Sequence, residues 1–303
     1  MLDAFVPDYV QDNYTNLDAI YLVFEFYDLN MSSLMSNKQI NIDFEQLVIL
    51  AYNFLCGINF LHTSNVLHRD LKPANLLITL NCCVKICDFG LSRTMRFDTV
   101  KKSGNQRIRR ERLDMSPVCY SRWYRPPEVI LEQPNYNEKA DVWSFGCIIA
   151  ELLFTLDNKN KDKKHKILFK GDSCYPFSPL ESEGAETISF KDQIVKICNV
   201  INTSDRSFIK DQASLTYMDQ IEEIKDHDQS LKFKQVFANY DPKFVDLISK
   251  ALVFNPEKRH SVKDLLKHSL FDKIRNPVLE DSSPIKISLK CDTQKYYEKT
   301  GLI

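Results

Sequence analysis

Apolar residues recur along this chain with two different periods. Between 43 and 62, Phe44, Leu47, Ala51, Phe54, Leu55, Ile58 and Leu61 return every three to four positions, which predicts one buried face of an α-helix. Asp43 precedes that run and Gln46 follows three places on, the pattern of a capping box. Residues 140–154 are apolar on nearly all sides, so they predict a central, buried helix. The longest apolar run, Val142 to Phe154, is too short to span a bilayer and contains Glu151. Asp241-Pro242 predicts the start of a helix with Phe244, Leu247, Ile248 and Ala251 on its inner face. Ser261, with Asp264 in the capping-box place, predicts the last helix, and residues 191–202 predict another.

Strand signals are fewer. Ala19-Ile20-Tyr21-Leu22-Val23-Phe24-Glu25-Phe26 has the composition of a strand, and Leu2 to Val6 is a shorter run of the same kind, joined to it by a polar connection. Leu76-Leu77-Ile78 and Val84-Lys85-Ile86 predict a hairpin turning at Asn81. Asn158 to Lys166 is rich in Lys and Asn and predicts a disordered loop. The chain from 276 onward is polar and reads as an irregular tail. No internal repeat is visible.

Composition narrows the function. A length of 303 residues is ample for a buried core. With 40 basic and 41 acidic residues, the chain has no excess charge to draw it to nucleic acid or to a membrane surface. Nine scattered cysteines, without paired zinc-ligand spacing, read as reduced thiols of an intracellular protein. The opening Met-Leu-Asp-Ala-Phe has no basic region followed by an apolar core, so it does not read as a signal peptide.

The chemistry is concentrated in Val66-Leu67-His68-Arg69-Asp70-Leu71-Lys72-Pro73-Ala74-Asn75-Leu76-Leu77, where an acid, a lysine and an amide are bracketed by apolar residues. Polar groups set among buried strands usually have work to do. Asp88-Phe89-Gly90 follows, then Pro127-Glu128, then Asp141-Val142-Trp143-Ser144-Phe145-Gly146. In order and spacing this series resembles the catalytic half of eukaryotic protein kinases. The resemblance implies an α+β kinase-like fold with a mainly helical C-lobe (29–275), a truncated β N-lobe (1–28, ending in the hinge) and a tail (276–303). It also implies ATP and Mg²⁺ as cofactors, protein substrates, an upstream activating kinase, and a cytoplasmic location with the nucleus as a second site.

Site roles follow from the same resemblance. Asp70 matches the acid that accepts the substrate hydroxyl's hydrogen bond. Lys72 matches the lysine that contacts the γ-phosphate in Ser/Thr kinases. Asn75 and Asp88 match the magnesium ligands, hard oxygen donors suited to that ion. Phe24 matches the gatekeeper, the backbones of Glu25 and Tyr27 the adenine contacts, and Leu77 the residue beneath the adenine ring. His68 and Phe89 match a stacked spine, Asp141 the acid that braces the catalytic loop, and Glu128 with Arg259 a buried ion pair.

Arg122-Trp123-Tyr124-Arg125-Pro126-Pro127-Glu128 resembles mitogen-activated and cyclin-dependent kinase relatives, with the mitogen-activated side favoured. That branch carries Thr-x-Tyr before this segment; here Ser116 stands in the threonine place and Val118 replaces the tyrosine. Ser116 is the expected activating phosphosite, with Arg69 and Arg93 as its phosphate-binding arginines. Arg122 and Arg125 are left without the phosphotyrosine they would hold. Tyr120 stands where the branch has a small residue beside the substrate's following proline. The activation segment carries eight Lys or Arg against two acids between Arg93 and Arg112. The upper-lobe signature is not matched: none of the seven glycines is spaced G-x-G, and no Lys or Arg precedes Lys38. The sequence is accordingly expected to be an incomplete kinase, inactive as written. The alternatives are a pseudokinase-type protein-binding module, or an upper lobe supplied by another chain.

Overall fold

The computed structural model describes residues 1–6, 20–37, 39–95, 120–133, 136–157, 166–174, 192–224 and 229–288. It begins with an antiparallel ribbon of β1 (Asp3–Phe5) and β2 (Tyr21–Val23), with Phe5 opposite Tyr21 and their rings stacked at 5.2 Å. Every residue of the ribbon is exposed. The expected strand over 19–26 is therefore cut to three residues, because no further strand or helix among the described residues covers its faces.

Next come β3 (Leu29–Asn30) and α1 (Met31–Ser36), capped by the Asn30 side chain, which accepts from Ser33 N at 2.8 Å. The long helix α2 (Phe44–Thr63) follows its apolar stripe. Its capping box is present: Gln46 N donates to Asp43 Oδ1 at 2.8 Å, and Asp43 N donates to Gln46 Oε1 at 3.0 Å. By length and composition α2 is apolar enough to cross a membrane. Here Leu47, Ala51, Phe54, Leu55 and Ile58 are fully buried against the rest of the core.

Short strands then deliver the polar residues of the site. They are β4 (Val66–Leu67), β5 (Leu76–Ile78), β6 (Val84–Ile86) and β7 (Arg93–Thr94). A three-stranded antiparallel sheet runs β3-β5-β6, and β4 pairs with β7. The β5–β6 hairpin forms as expected, and its left-handed residue is Cys82 (φ 57°), one place beyond Asn81.

The helical body is made of α3 (Pro127–Ile130), α4 (Lys139–Phe154), α5 (Gln193–Cys198), α6 (Gln212–Ile224), α7 (Gln229–Val236), α8 (Pro242–Ala251) and α9 (Val262–Leu266). In α4 every residue from Ala140 to Phe154 is buried, so this helix is the centre of the core. It packs on α2 and, most closely, on α8. Gly146 permits that approach, since a Cβ there would lie 2.8 Å from Leu252 and 2.9 Å from Ala251. On α8, Phe244, Leu247, Ile248 and Ala251 are all fully buried, each large side chain worth about 1.5–3 kcal/mol. Asp241 caps α8 through Lys243 N and Phe244 N, and Ser261 with Asp264 forms the box on α9.

Two expectations change. The helix over 191–202 is only the six residues of α5. The tail is irregular but docked as far as it is described. Tyr52 on α2 accepts from Asn276 N (2.8 Å) and donates to Glu280 Oε1 (2.9 Å). Ser283 N donates to Thr63 Oγ1 at 2.9 Å, and Ile287 N donates to the Ser64 carbonyl at 2.8 Å. These partners lie far apart in sequence, so no local pattern announces them. The Lys/Asn-rich stretch 158–165 lies outside the described residues.

Candidate active site

Strand β4 ends at Leu67, and the chain then turns sharply through His68 and Arg69, Arg69 taking a left-handed backbone (φ 68°). That conformation is costly for a side chain of this size and needs the surroundings to impose it. Asp141, fully buried on α4, imposes it. Its Oδ2 accepts the N–H of His68 (2.9 Å) and its Oδ1 the N–H of Arg69 (3.0 Å). Nε2 of His62, on the last turn of α2, lies 3.0 Å from Oδ2, and the Tyr120 hydroxyl donates to Oδ1 at 3.3 Å. His68 Nδ1 accepts from Asp70 N (3.3 Å), which leaves Nε2 to donate to the Cys87 carbonyl (3.0 Å). The His68 ring meets Phe89 edge-on at 5.2 Å.

Four donors converge on the Asp70 carboxylate. Oδ1 accepts from Ser121 N (3.1 Å) and Ser121 Oγ (2.9 Å). Oδ2 accepts from Lys72 Nζ (2.6 Å) and Asn75 Nδ2 (3.3 Å). A carboxylate has about four acceptor positions, so Asp70 is fully engaged. Asn75 Nδ2 also donates to the Asp70 carbonyl at 3.0 Å, which leaves its Oδ1 as the free end of the amide. Asn75 closes the short 3₁₀ turn Pro73–Asn75, and its carbonyl accepts the N–H of Cys87 at 3.0 Å. That bond brings Asp88 (φ 65°) alongside Asn75. A carboxylate and an amide oxygen are ligand types that suit Mg²⁺, which keeps much of its water and takes phosphate oxygens as further ligands. Burial, then the Asp88 carboxylate, push the Cys87 thiol up from its ordinary value.

The hinge reaches the site through β3, where Asn30 pairs with Leu77. Phe24 is 60% exposed, and the Tyr27 hydroxyl donates to Glu25 Oε2 at 2.7 Å. Glu25 and Tyr27 also border a cavity of about 690 Å³ whose floor is Leu34, Ile42 and Leu50. The structure thus brings Asp70, Lys72, Asn75 and Asp88 together, with Leu77 and the hinge at one side.

The expected phosphate-binding arginines have other partners. Pairing of Leu67 with Arg93 sets Arg93 beside the catalytic loop, where its Nη1 donates to Ser92 O at 2.9 Å. Arg69 Nη1 donates to Leu91 O (3.3 Å), and its guanidinium covers the Tyr136 ring at 5.6 Å. Arg122 donates to the Asp172 carbonyl. Arg125 is buried and donates from Nε (3.2 Å) and Nη2 (2.8 Å) to the Tyr120 carbonyl and from Nη1 to Cys174 Sγ (3.1 Å). Arg125 is therefore part of the interior. Ser116 and Val118 lie outside the described residues.

A protein kinase domain model matches residues 9–271. The chain belongs to the protein kinase family. Mitogen-activated protein kinases are among its relatives. It is 30% identical over 283 residues to mitogen-activated protein kinase 7 of Arabidopsis thaliana, covering 92% of this chain and 65% of the relative. It is 32% identical over 279 residues to mitogen-activated protein kinase 12 of Rattus norvegicus, covering 91% and 62%. It is 33% identical over 272 residues to extracellular signal-regulated kinase 1 of Dictyostelium discoideum, covering 90% and 44%. The chain thus spans less than two thirds of the length of these relatives.

Within this kinase fold Glu128 and Arg259 form a two-pronged buried pair, Nη1 to Oε1 at 2.7 Å and Nη2 to Oε2 at 2.9 Å. Arg259 also lies over the Trp143 ring at 5.1 Å and donates to the Val253 and Lys139 carbonyls. Residues that sequence reasoning missed are His62 and Tyr120 as partners of Asp141; nothing in their local spacing marks them.

Burial alone would raise the Asp141 carboxyl. The hydrogen bond and electrostatic pull of His62, then the pull of the His68 ring and its backbone N–H, outweigh burial and hold it below the ordinary range. A folded-state value below the unfolded one stabilises the fold at pH above the unfolded carboxylate's, about 4, and that contribution is lost as pH falls through the folded value. Urea midpoints are therefore expected to drop as pH is lowered through about 4 and below. The drop should be smaller in Asp141→Asn; equal slopes in both proteins would mean that Asp141 is not the group responsible.

Proposed function

We propose that this chain is the hinge and lower lobe of an ATP-dependent protein serine/threonine kinase of the mitogen-activated type. The observation that carries the reading is the four-donor lock on Asp70. A substrate hydroxyl needs one of those acceptor positions. Lys72 is the donor able to leave, because its flexible stem lets the ammonium turn from Oδ2 onto a γ-phosphate. Oδ2 is then open to the incoming hydroxyl, and Lys72 meets the charge on the moving group. Asp70 orients that hydroxyl while Ser121 and Asn75 keep the carboxylate from rotating. Asn75 and Asp88 would hold Mg²⁺, which supplies neutralisation of phosphate charge when bound. Leu77 and the backbones of Glu25 and Tyr27 would receive the adenine.

The Tyr120 carbonyl bears on specificity. Two N–H groups of Arg125 already occupy it. It offers little to a backbone N–H in the substrate residue after the phosphoacceptor, and proline, which has none, loses nothing there. This supports proline-directed substrates despite the bulk of Tyr120, whose ring is turned inward and only 3% exposed.

Protein substrates, an upstream activating kinase, phosphorylation of Ser116 and a cytoplasmic or nuclear location belong to this same reading. The 303 residues alone are expected to transfer phosphate poorly, since no Lys or Arg precedes Lys38 and no G-x-G is present. The second reading is a pseudokinase-type protein-binding module. The test is transfer of the γ-phosphate of ATP to serine or threonine peptides with and without a following proline, with Asp70→Asn as the control.

A further inference from the structure

Tyr120 is held from four sides. Its N–H donates to the Arg69 carbonyl at 2.9 Å, and its carbonyl takes the two Arg125 bonds. Its hydroxyl donates to Asp141 Oδ1, the oxygen that also fixes the N–H of Arg69. Its ring meets the Tyr136 ring edge-on at 6.2 Å, and Tyr136 in turn lies under the Arg69 guanidinium. The backbone of Tyr120 is left-handed (φ 64°), a conformation a bulky residue keeps only where its surroundings over-determine it. The very next residue, Ser121, places both its N–H and its hydroxyl on Asp70.

We propose that Tyr120 is a positioning residue: its hydroxyl, shared onto Asp141 with the Arg69 N–H, locks the loop 120–125 to the catalytic loop and so seats Ser121 on Asp70. The seat is built from residues of the catalytic loop, of α4 and of 120–125 itself. Its formation therefore does not wait on a phosphate at Ser116. One carboxylate serves both loops, so a displacement of either is felt by the other. This rests on the reading of Asp70 as the residue that receives the substrate hydroxyl, but the lock itself is a property of the folded chain.

The test uses the 303-residue chain after phosphatase treatment, with no nucleotide or peptide added. Amide hydrogen exchange is followed by NMR at Arg69, Tyr120 and Ser121, together with the carboxyl carbon resonance of Asp70. In the wild-type chain the three amides are expected to exchange slowly. Tyr120→Phe, which removes a single oxygen, is expected to speed exchange at both Arg69 and Ser121 by about tenfold, in keeping with loss of one hydrogen bond to a carboxylate. It is also expected to move the Asp70 carboxyl resonance while the core amides of α4 stay protected. A purely packing role for the ring would leave that resonance in place. Unchanged exchange at Arg69 and Ser121 in the variant overturns the proposal, and so does fast exchange at both in the phosphatase-treated wild type, whatever the variant does. None of these readouts requires phosphoryl transfer, so failure of the kinase reading and failure of the lock are separate results.

Discussion

Asp88→Ala is expected to abolish magnesium-dependent phosphoryl transfer in the longest in-frame product of this gene, with a loss of at least about a hundredfold, while the fold survives. The bond from Cys87 N to the Asn75 carbonyl ties the residue just before Asp88 to Asn75, and Asn75 itself offers only one amide oxygen. Without Asp88 that single neutral donor remains, too little to hold a small cation that dehydrates reluctantly. Metal neutralisation of transferring phosphate is worth several kcal/mol, and each 1.4 kcal/mol is tenfold in rate. The substitution removes no core packing, because Asp88 begins the exposed turn that follows β6. Transfer measured against magnesium concentration checks this, alongside a thermal melt. Unchanged magnesium-dependent turnover in Asp88→Ala would mean that Asp88-Phe89-Gly90 is not the metal-binding turn.

The second large effect is on stability. Arg259→Ala should cost about 3–5 kcal/mol, because Glu128 would be left as an unpaired charge in an interior that excludes water. Both residues are 1% exposed, and Arg259 engages both Glu128 oxygens. The loss would go beyond charge, since the guanidinium also covers Trp143 and ties down the Val253, Lys139 and Phe254 carbonyls. Against a typical domain stability of about 5–15 kcal/mol, the variant should unfold at markedly lower urea. Replacing both partners by apolar residues should recover part of the loss, as the desolvation cost goes with the pair. A single variant within about 1 kcal/mol of the parent would show that the pair is reached by water.

What could be read from the sequence was local. The capping boxes at Asp43 and Ser261, the Asp-Pro start of α8 and the β5–β6 hairpin are fixed by neighbours within a few positions. The cluster of Asp70, Lys72 and Asn75 was legible for the same reason, since six consecutive residues hold it. The rest depended on contacts between distant segments. Tyr120 resembled an obstacle beside the substrate until its ring proved to be turned onto Asp141, 21 positions away. Arg125 matches an arginine that would hold a phosphotyrosine, for which Val118 leaves no partner in the sequence, and its donors serve the Tyr120 carbonyl and Cys174. The docked stretch 276–287 gave no periodic signal because it binds α2 through hydrogen bonds to single residues.

The account turns on Asp70 as the residue that orients the attacking hydroxyl. The most direct measurement is transfer of labelled γ-phosphate from ATP to serine- and threonine-containing peptides, comparing wild type with Asp70→Asn in the longest in-frame product of the gene. Phosphate on serine or threonine, lost in Asp70→Asn while the melting temperature holds, is the predicted result. Equal transfer by both proteins, or label appearing on tyrosine, would contradict it.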